Sequence, residues 1–173
     1  RTFAPTYREA VAKMARERGI PVAAHDDETL EHVEEAARLG MTLSEFPTTL
    51  VAAEAAKERG MTTIMGAPNV VKGGSQSGNL SALELAKVGL LDVLASDYVP
   101  ISMLAATLRL TEDDVGLSLP EAVKTASLNA AQAAGLTDRG EIAPGKRADL
   151  LRVRKVDHHP VIRTVYTAGH RVA

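Results

Sequence analysis

Three short stretches, RERGIPV, ARLGMTL and KERGMTT, each end a charged helical run at a glycine and pass straight into an apolar segment. Each reads as a helix-to-strand joint, because glycine closes a helix in left-handed backbone without a Cβ clash. With these joints placed, the first hundred residues read as helix 5–19, strand 20–25 (IPVAAH), helix 28–39 and strand 41–46 (MTLSEF). Helix 48–59, strand 61–66 (MTTIMG), a long Gly/Ser loop, helix 81–88 and an apolar strand running out at Asp97 follow. Strands alternating with helices at that spacing make βα units and a parallel sheet. The GxGxxG turn of a dinucleotide fold is missing. The expected fold class is therefore α/β. Four such units are half of a (β/α)8 TIM-type barrel, with a small doubly wound sheet as the structural alternative.

Beyond Pro100 the chain reads as mostly helical to about Ala134, and from Asp149 its character changes. ADLLRVR and HPVIRTVYTAGHRVA look like short strands with Ala168-Gly169 as a turn. The expected organisation is the C-terminal half of a barrel over residues 1–135 and a small antiparallel β appendage over 136–173. A chain of 173 residues buries about 70% of its unfolded surface, enough for a real core. Its apolar part is Ala, Val and Leu with no Trp and two Phe, which suits helices packed closely on a sheet.

The net charge of −2 is spread over interleaved acids and bases, which argues against a nucleic-acid partner and against a polybasic membrane anchor. The absence of cysteine excludes disulfides and thiolate zinc sites. No apolar run reaches the roughly 20 residues that span a bilayer and no signal peptide opens the chain, so cytoplasm is the expected compartment.

In a parallel barrel, function collects at the C-terminal ends of the strands. Those ends are His25, Glu45, the stretch from Gly66 to Asn79, and Asp97. Taken singly, His25 could be a structural histidine, and Glu45 or Asp97 could cap the following helix. Their coincidence at one edge favours a site. Asp97 closes an apolar run, and an ionised carboxylate at a core edge needs a charged or hydrogen-bonding group to meet it. The stretch GAPNVVKGGSQSGN combines Lys72 with Gly73-Gly74 and the hydroxyls of Ser75 and Ser77. Backbone N–H groups of glycines can approach an anion and Lys adds a point charge. A flexible turn-rich loop is the alternative. Asn69, Lys72, Gly73, Gly74, Ser75 and Ser77 are the expected substrate-binding residues. His158, His159 and His170 lie in the tail, and His32 lies on a Glu-rich helix face; surface positions account for all four.

Together AHDD (24–27), SEFPTT (44–49), GAPNVVKGGSQSGN (66–79) and LASDYVP (94–100) resemble the amidohydrolase superfamily. Within it they resemble the PhnM-type phosphohydrolases of the carbon–phosphorus lyase pathway. SLNAAQAAGLTDRGEIAPGKRADLL (127–151) is similar to the superfamily's NPA…G…GRIAPGKDADL signature. The resemblance implies hydrolysis of α-D-ribose 1-methylphosphonate 5-triphosphate, a phosphorylated ribose phosphonate, to the 5-phosphate and pyrophosphate. It also implies a divalent metal, with zinc expected. His25 matches a metal-binding histidine. Asp97 matches the aspartate that touches metal and takes a proton from the attacking water, so metal and water would meet its charge. Asp26 and Asp27 are expected to orient the imidazole. Glu45 stands where the superfamily usually has a second histidine and is a candidate ligand, and Gln76 stands where relatives tend to have His.

The superfamily's His-x-His and its bridging residue from the fourth strand have no counterpart. The chain opens RTFAPTYREA, without Met and directly into a helix. The expectation is a C-terminal portion of a longer enzyme, with an incomplete metal site and doubtful activity on its own. Two unpaired strand edges and an apolar inner face would favour a homodimer. Deacetylation or deamination of a small metabolite, and a non-catalytic half-barrel assembly module, are the competing readings.

Overall fold

The computed structural model describes residues 4–75, 78–157 and 159–173. Gln76, Ser77 and His158 lie outside the described residues. The elements run α1 (Ala4–Glu17), β1 (Ala23–His25), α2 (Leu30–Arg38), β2 (Leu43–Glu45), α3 (Leu50–Glu58), β3 (Thr62–Gly66), α4 (Ala67–Lys72) and α5 (Ala82–Lys87). They continue with β4 (Val93–Ala95), α6 (Ser102–Arg109), α7 (Leu119–Thr125), α8 (Leu128–Ala133), β5 (Leu150–Val156), β6 (His159–Thr167) and β7 (His170–Arg171).

Side-chain caps fix where the helices begin. Thr49 Oγ1 accepts the Ala52 N–H at 3.1 Å, and Thr29 does the same for His32 at 3.4 Å. Ser81 with Glu84 and Ser118 with Glu121 form reciprocal capping boxes. Each satisfies amide donors that the first helical turn leaves without an internal partner.

Strands β1 to β4 form one parallel sheet in sequential order. In its register His25 pairs with Glu45, Glu45 with Ile64, and Ile64 with Val93. Side chains alternate across the sheet, and the two faces differ. Ala24, Ser44, Thr63, Met65 and Leu94 are buried beneath the helices. Their partners include Val33, Ala36 and the alanines of α3 at one end, and Val70, Leu85, Ala106 and Leu110 at the other. The opposite face carries Ala23, His25, Leu43, Glu45, Thr62, Ile64 and Ala95, all partly or fully exposed, and of its side chains only Val93 is buried. This is one wall of a barrel, with helices outside and a half-open inner face.

A separate antiparallel sheet of order β5-β6-β7 packs through β6 against α6. The segment joining α8 to this sheet passes so close to α8 that a Cβ on Gly140 would lie 2.8 Å from Ala131 Cβ. At φ +98 the position also requires glycine's freedom.

One expectation is corrected here. The stretch from Gly66 to Asn79 is not an open loop throughout, because Ala67–Lys72 form α4. Pro68 in its first turn has the fixed φ that a helix start needs, and Gly73, at φ 82, closes it.

At the edge opposite the strand ends, Asp92 ties the sheet to its helices. Both its carboxylate oxygens lie 2.7 Å from Lys57 Nζ of α3. Its Oδ2 accepts the Thr63 N–H of β3 at 2.9 Å, and its backbone carbonyl accepts Asn129 Nδ2 of α8 at 2.9 Å. The carboxylate is only 24% exposed, so its removal leaves half-buried donors unmet. Asp92→Ala is expected to lower the free energy of unfolding by about 2–3 kcal/mol, the scale of charged hydrogen bonds. Urea denaturation measures it, and an unchanged midpoint would contradict this role.

Candidate active site at the strand ends

Beyond each of β1, β2 and β4 the backbone turns over at a residue of positive φ that is not glycine. These are Asp26 (φ 59), Phe46 (φ 54) and Asp97 (φ 48). The parallel ladder is extended by one bond before the turn: the Asp26 N–H donates to Glu45 O at 3.0 Å, and the Phe46 N–H to Ile64 O at 2.9 Å. Aspartate enters left-handed backbone with modest difficulty. A bulky aromatic does not, and such residues store of order 1–3 kcal/mol of strain, typically at functional sites. Among the described residues the other two non-glycine positions of positive φ, Asp157 and Ala168, flank β6 in the antiparallel sheet.

The loops that follow are laced together. The Thr48 N–H donates to Asp27 O at 2.9 Å, and the Leu80 N–H to Thr48 O at 3.1 Å. Thr49 Oγ1 donates to Glu28 O at 2.7 Å.

Between them lies a cavity of about 180 Å³, lined by Asp26, Phe46, Thr48, Asn69, Lys72, Ser75, Asn79, Asp97 and Tyr98 among others. Lys72 is the cation of that lining. A larger groove of about 800 Å³ runs between α6–α7 and β5, but it is mainly apolar and away from the strand ends. The smaller cavity has the converging polar groups that a site needs.

The expected site residues fall into place unequally. His25 is exposed, with Nδ1 3.0 Å from Asp26 Oδ2. Asp26 therefore stands where an orienting carboxylate should. Asp27 does not touch the imidazole: it is buried, and its Oδ2 meets no partner. Burial pushes its carboxyl above the usual range, against the pull of His32. Glu45 is half-buried beside His25 and caps nothing, since the cap of α3 is Thr49.

Asp97 is exposed rather than pressed into the core edge, and it does not cap α6. Its Oδ2 sits over Gly66, 3.4 Å from where a Cβ would stand. Lys72 ends α4 and lines the cavity with Ser75. Asn69 lines it too, with Oδ1 committed to the Ala82 N–H at 2.9 Å, so its NH2 is the group it can offer. Gly73 and Gly74 do not line it. Their N–H groups donate to α4 carbonyls, Asn69 O and Val70 O, at 3.2 Å, and the anion cradle expected of them is not formed. Ser77 lies outside the described residues. Phe46, Asn79 and Tyr98 were not singled out by sequence; an aromatic between Glu45 and Pro47 reads as core.

The expected zinc does not find a ready donor set. Among the described residues no group of three or more His, Asp or Glu side chains stands close enough to hold a metal. His25 and Glu45 are neighbours on adjacent strands. Asp97 stands three strands from His25, roughly 14 Å at about 4.8 Å per strand. A catalytic zinc needs three protein ligands.

The backbone of Gly66 has φ −71, open to any residue. Gly66→Ala is therefore expected to be tolerated, its methyl just touching the Asp97 carboxylate. Gly66→Val is expected to displace that carboxylate by about an ångström or more, since atoms beyond Cβ enter its space. Crystal structures of the two variants check this, and an unmoved Asp97 in the valine variant would contradict it.

The amidohydrolase family model matches residues 1–172. The α-D-ribose 1-methylphosphonate 5-triphosphate diphosphatase of Escherichia coli (strain K12) is 51% identical over 166 residues, covering 95% of this chain and 44% of that protein. The imidazolonepropionase of Deinococcus deserti is 43% identical over 65 residues, 33% of this chain and 16% of that protein. Among solved structures, Aspergillus niger ochratoxinase superposes with a TM-score of 0.69 at 18% identity, over 98% of this chain and 46% of that one. N-acetylglucosamine-6-phosphate deacetylase from Pasteurella multocida superposes at 0.70 and 13% identity, over 95% and 54%. At those identities the two structures speak for the fold. The chain spans about half the length of the relatives it matches, or less.

Proposed function

The chain belongs to the amidohydrolase family, and from that premise we propose that it is part of a phosphohydrolase of phosphonate metabolism. The reaction is hydrolysis of α-D-ribose 1-methylphosphonate 5-triphosphate to the 5-phosphate and pyrophosphate. The observation that carries this reading is the identity of 51% over 95% of the chain to the diphosphatase of that substrate. The match to imidazolonepropionase spans a third of it. The cavity agrees in chemistry: Lys72 faces a space bounded by the amide and hydroxyl groups of Asn69, Asn79 and Ser75.

In this reading Lys72 neutralises phosphate charge and Asn69 and Ser75 fix its orientation, the positioning and electrostatic work that dominates phosphoryl transfer. Water adds to phosphorus, the bridging P–O bond breaks toward pyrophosphate, and Asp97, exposed at the cavity wall, accepts the water's proton. His25 and Glu45, neighbours on adjacent strands, are the donors this chain would offer to a divalent metal, zinc, and by themselves they fall short of the three protein ligands a catalytic zinc needs.

Pyrophosphate release from that triphosphate, measured on the protein as its cell makes it, tests the reading. Lys72→Ala is expected to raise KM about 10–100-fold, the loss of one charged hydrogen bond. Asp97→Asn is expected to lower kcat by about 10²–10⁴ with little change in KM. Hydrolysis of amide or deaminase substrates in place of the triphosphate would overturn it.

We also propose association through the sheet. Among the described residues β1 and β4 have one strand neighbour each, unpaired edges of the kind that invite a second copy, and the inner face between them is half-open, with Leu43, Ile64 and Ala95 partly exposed. Sedimentation is expected to show a dimer, and a monodisperse monomer would exclude it.

A further inference from the structure

We propose that Phe46 is a positioning residue that holds the His25 imidazole at the strand-end edge, beside the cavity that Phe46 itself lines. The inference rests on the reading that the strand ends form the active site, and it assigns a task to a residue that reading does not use.

His25 and Glu45 are paired in register and project from the inner face of the sheet. In extended backbone the next residue, Phe46, would point to the opposite face, among the helices. Its backbone leaves the strand at a φ of 54, and its ring meets the His25 ring, centroid to centroid 5.2 Å at 83°. That is the edge-to-face arrangement aromatic pairs favour. The contact is thus made by a residue in strained backbone.

Two contacts hold that backbone in place. The Phe46 N–H is bound to Ile64 O at 2.9 Å. Pro47, fully buried, follows and favours extended backbone in the residue before it, so the positive φ is kept against that preference. The ring also packs on the core cluster of Met65, Leu83 and Leu94. A phenylalanine needed only to fill the core could sit in ordinary β backbone. Here it takes an unfavourable φ, lines the cavity, and reaches a histidine whose side chain is 53% exposed. An exposed imidazole has few restraints. This one has the Asp26 carboxylate at Nδ1 and the Phe46 ring beside it.

The test compares Phe46→Leu, which keeps apolar bulk, with Phe46→Tyr, which keeps the ring. The readout is the NMR signals of the His25 ring protons, assigned with His25→Ala, in variants shown to be folded by circular dichroism. Phe46→Leu is expected to move those signals to the positions of a freely rotating solvent histidine, and Phe46→Tyr to restore them. Phe46→Leu is also expected to lower kcat roughly 10–100-fold, with KM within about twofold, as misplacement of a reacting group does.

Ring signals unchanged in Phe46→Leu would overturn the proposal, even if the wild-type protein hydrolyses the triphosphate. Ring signals that respond as expected, in a protein with no triphosphate hydrolysis, would uphold the positioning role and count against the phosphohydrolase reading alone.

Discussion

The register of the parallel ladder is the constraint on which the site depends. Parallel strands deliver all their C-terminal ends to one edge, and the pairing of His25 with Glu45 sets two chemical side chains next to each other on the inner face. A slip of one residue would turn both toward the helices. The register of β3 against β4 is secured at the other edge, where the Asp92 carboxylate binds the Thr63 N–H and Lys57. That pairing continues to Gly66 opposite Ala95, two residues before Asp97. The carboxylate that meets Gly66 is thus placed by a hydrogen bond made at the far side of the sheet.

The strand-end edge is held by geometry that is locally unfavourable. Three residues there carry side chains in left-handed backbone, and loops ordinarily relax such strain. Around Asp26 and Phe46 that relaxation is opposed by bonds between loops, from Thr48 to Asp27, from Leu80 to Thr48 and from Thr49 to Glu28. Each loop supplies the backbone partner of its neighbour. A cavity with, among the described residues, one cation at one wall and carboxylates at others follows, which suits a charged substrate better than an apolar one.

Much of this was legible in the sequence, for physical reasons that can be named. RERGIPV, ARLGMTL and KERGMTT announce their joints because Gly19, Gly40 and Gly60 take positive φ where helices end. His25 and Glu45 could be placed at strand ends because polar groups close short apolar runs. The stretch after Gly66 was misread because Gly73-Gly74 suggests an open loop, whereas Pro68 and the residues to Lys72 form a helical turn whose carbonyls occupy the glycine N–H groups. Phe46 escaped notice because its importance lies in φ, which a phenylalanine between Glu45 and Pro47 does not advertise. Asp92 hid inside an apolar run, its partners Lys57 and Asn129 lying 35 and 37 residues away in sequence.

The central claim is that the cavity at the strand ends receives a phosphate group against Lys72 within reach of Asp97. A crystal structure of the protein grown with a non-hydrolysable analogue of the ribose triphosphate tests it most directly. The account predicts phosphate oxygens within hydrogen-bond distance of Lys72 Nζ and Asn69 Nδ2, with Asp97 facing the phosphorus that water would attack. An analogue bound in the groove between α6–α7 and β5, or one turning its phosphates away from Lys72, would contradict it.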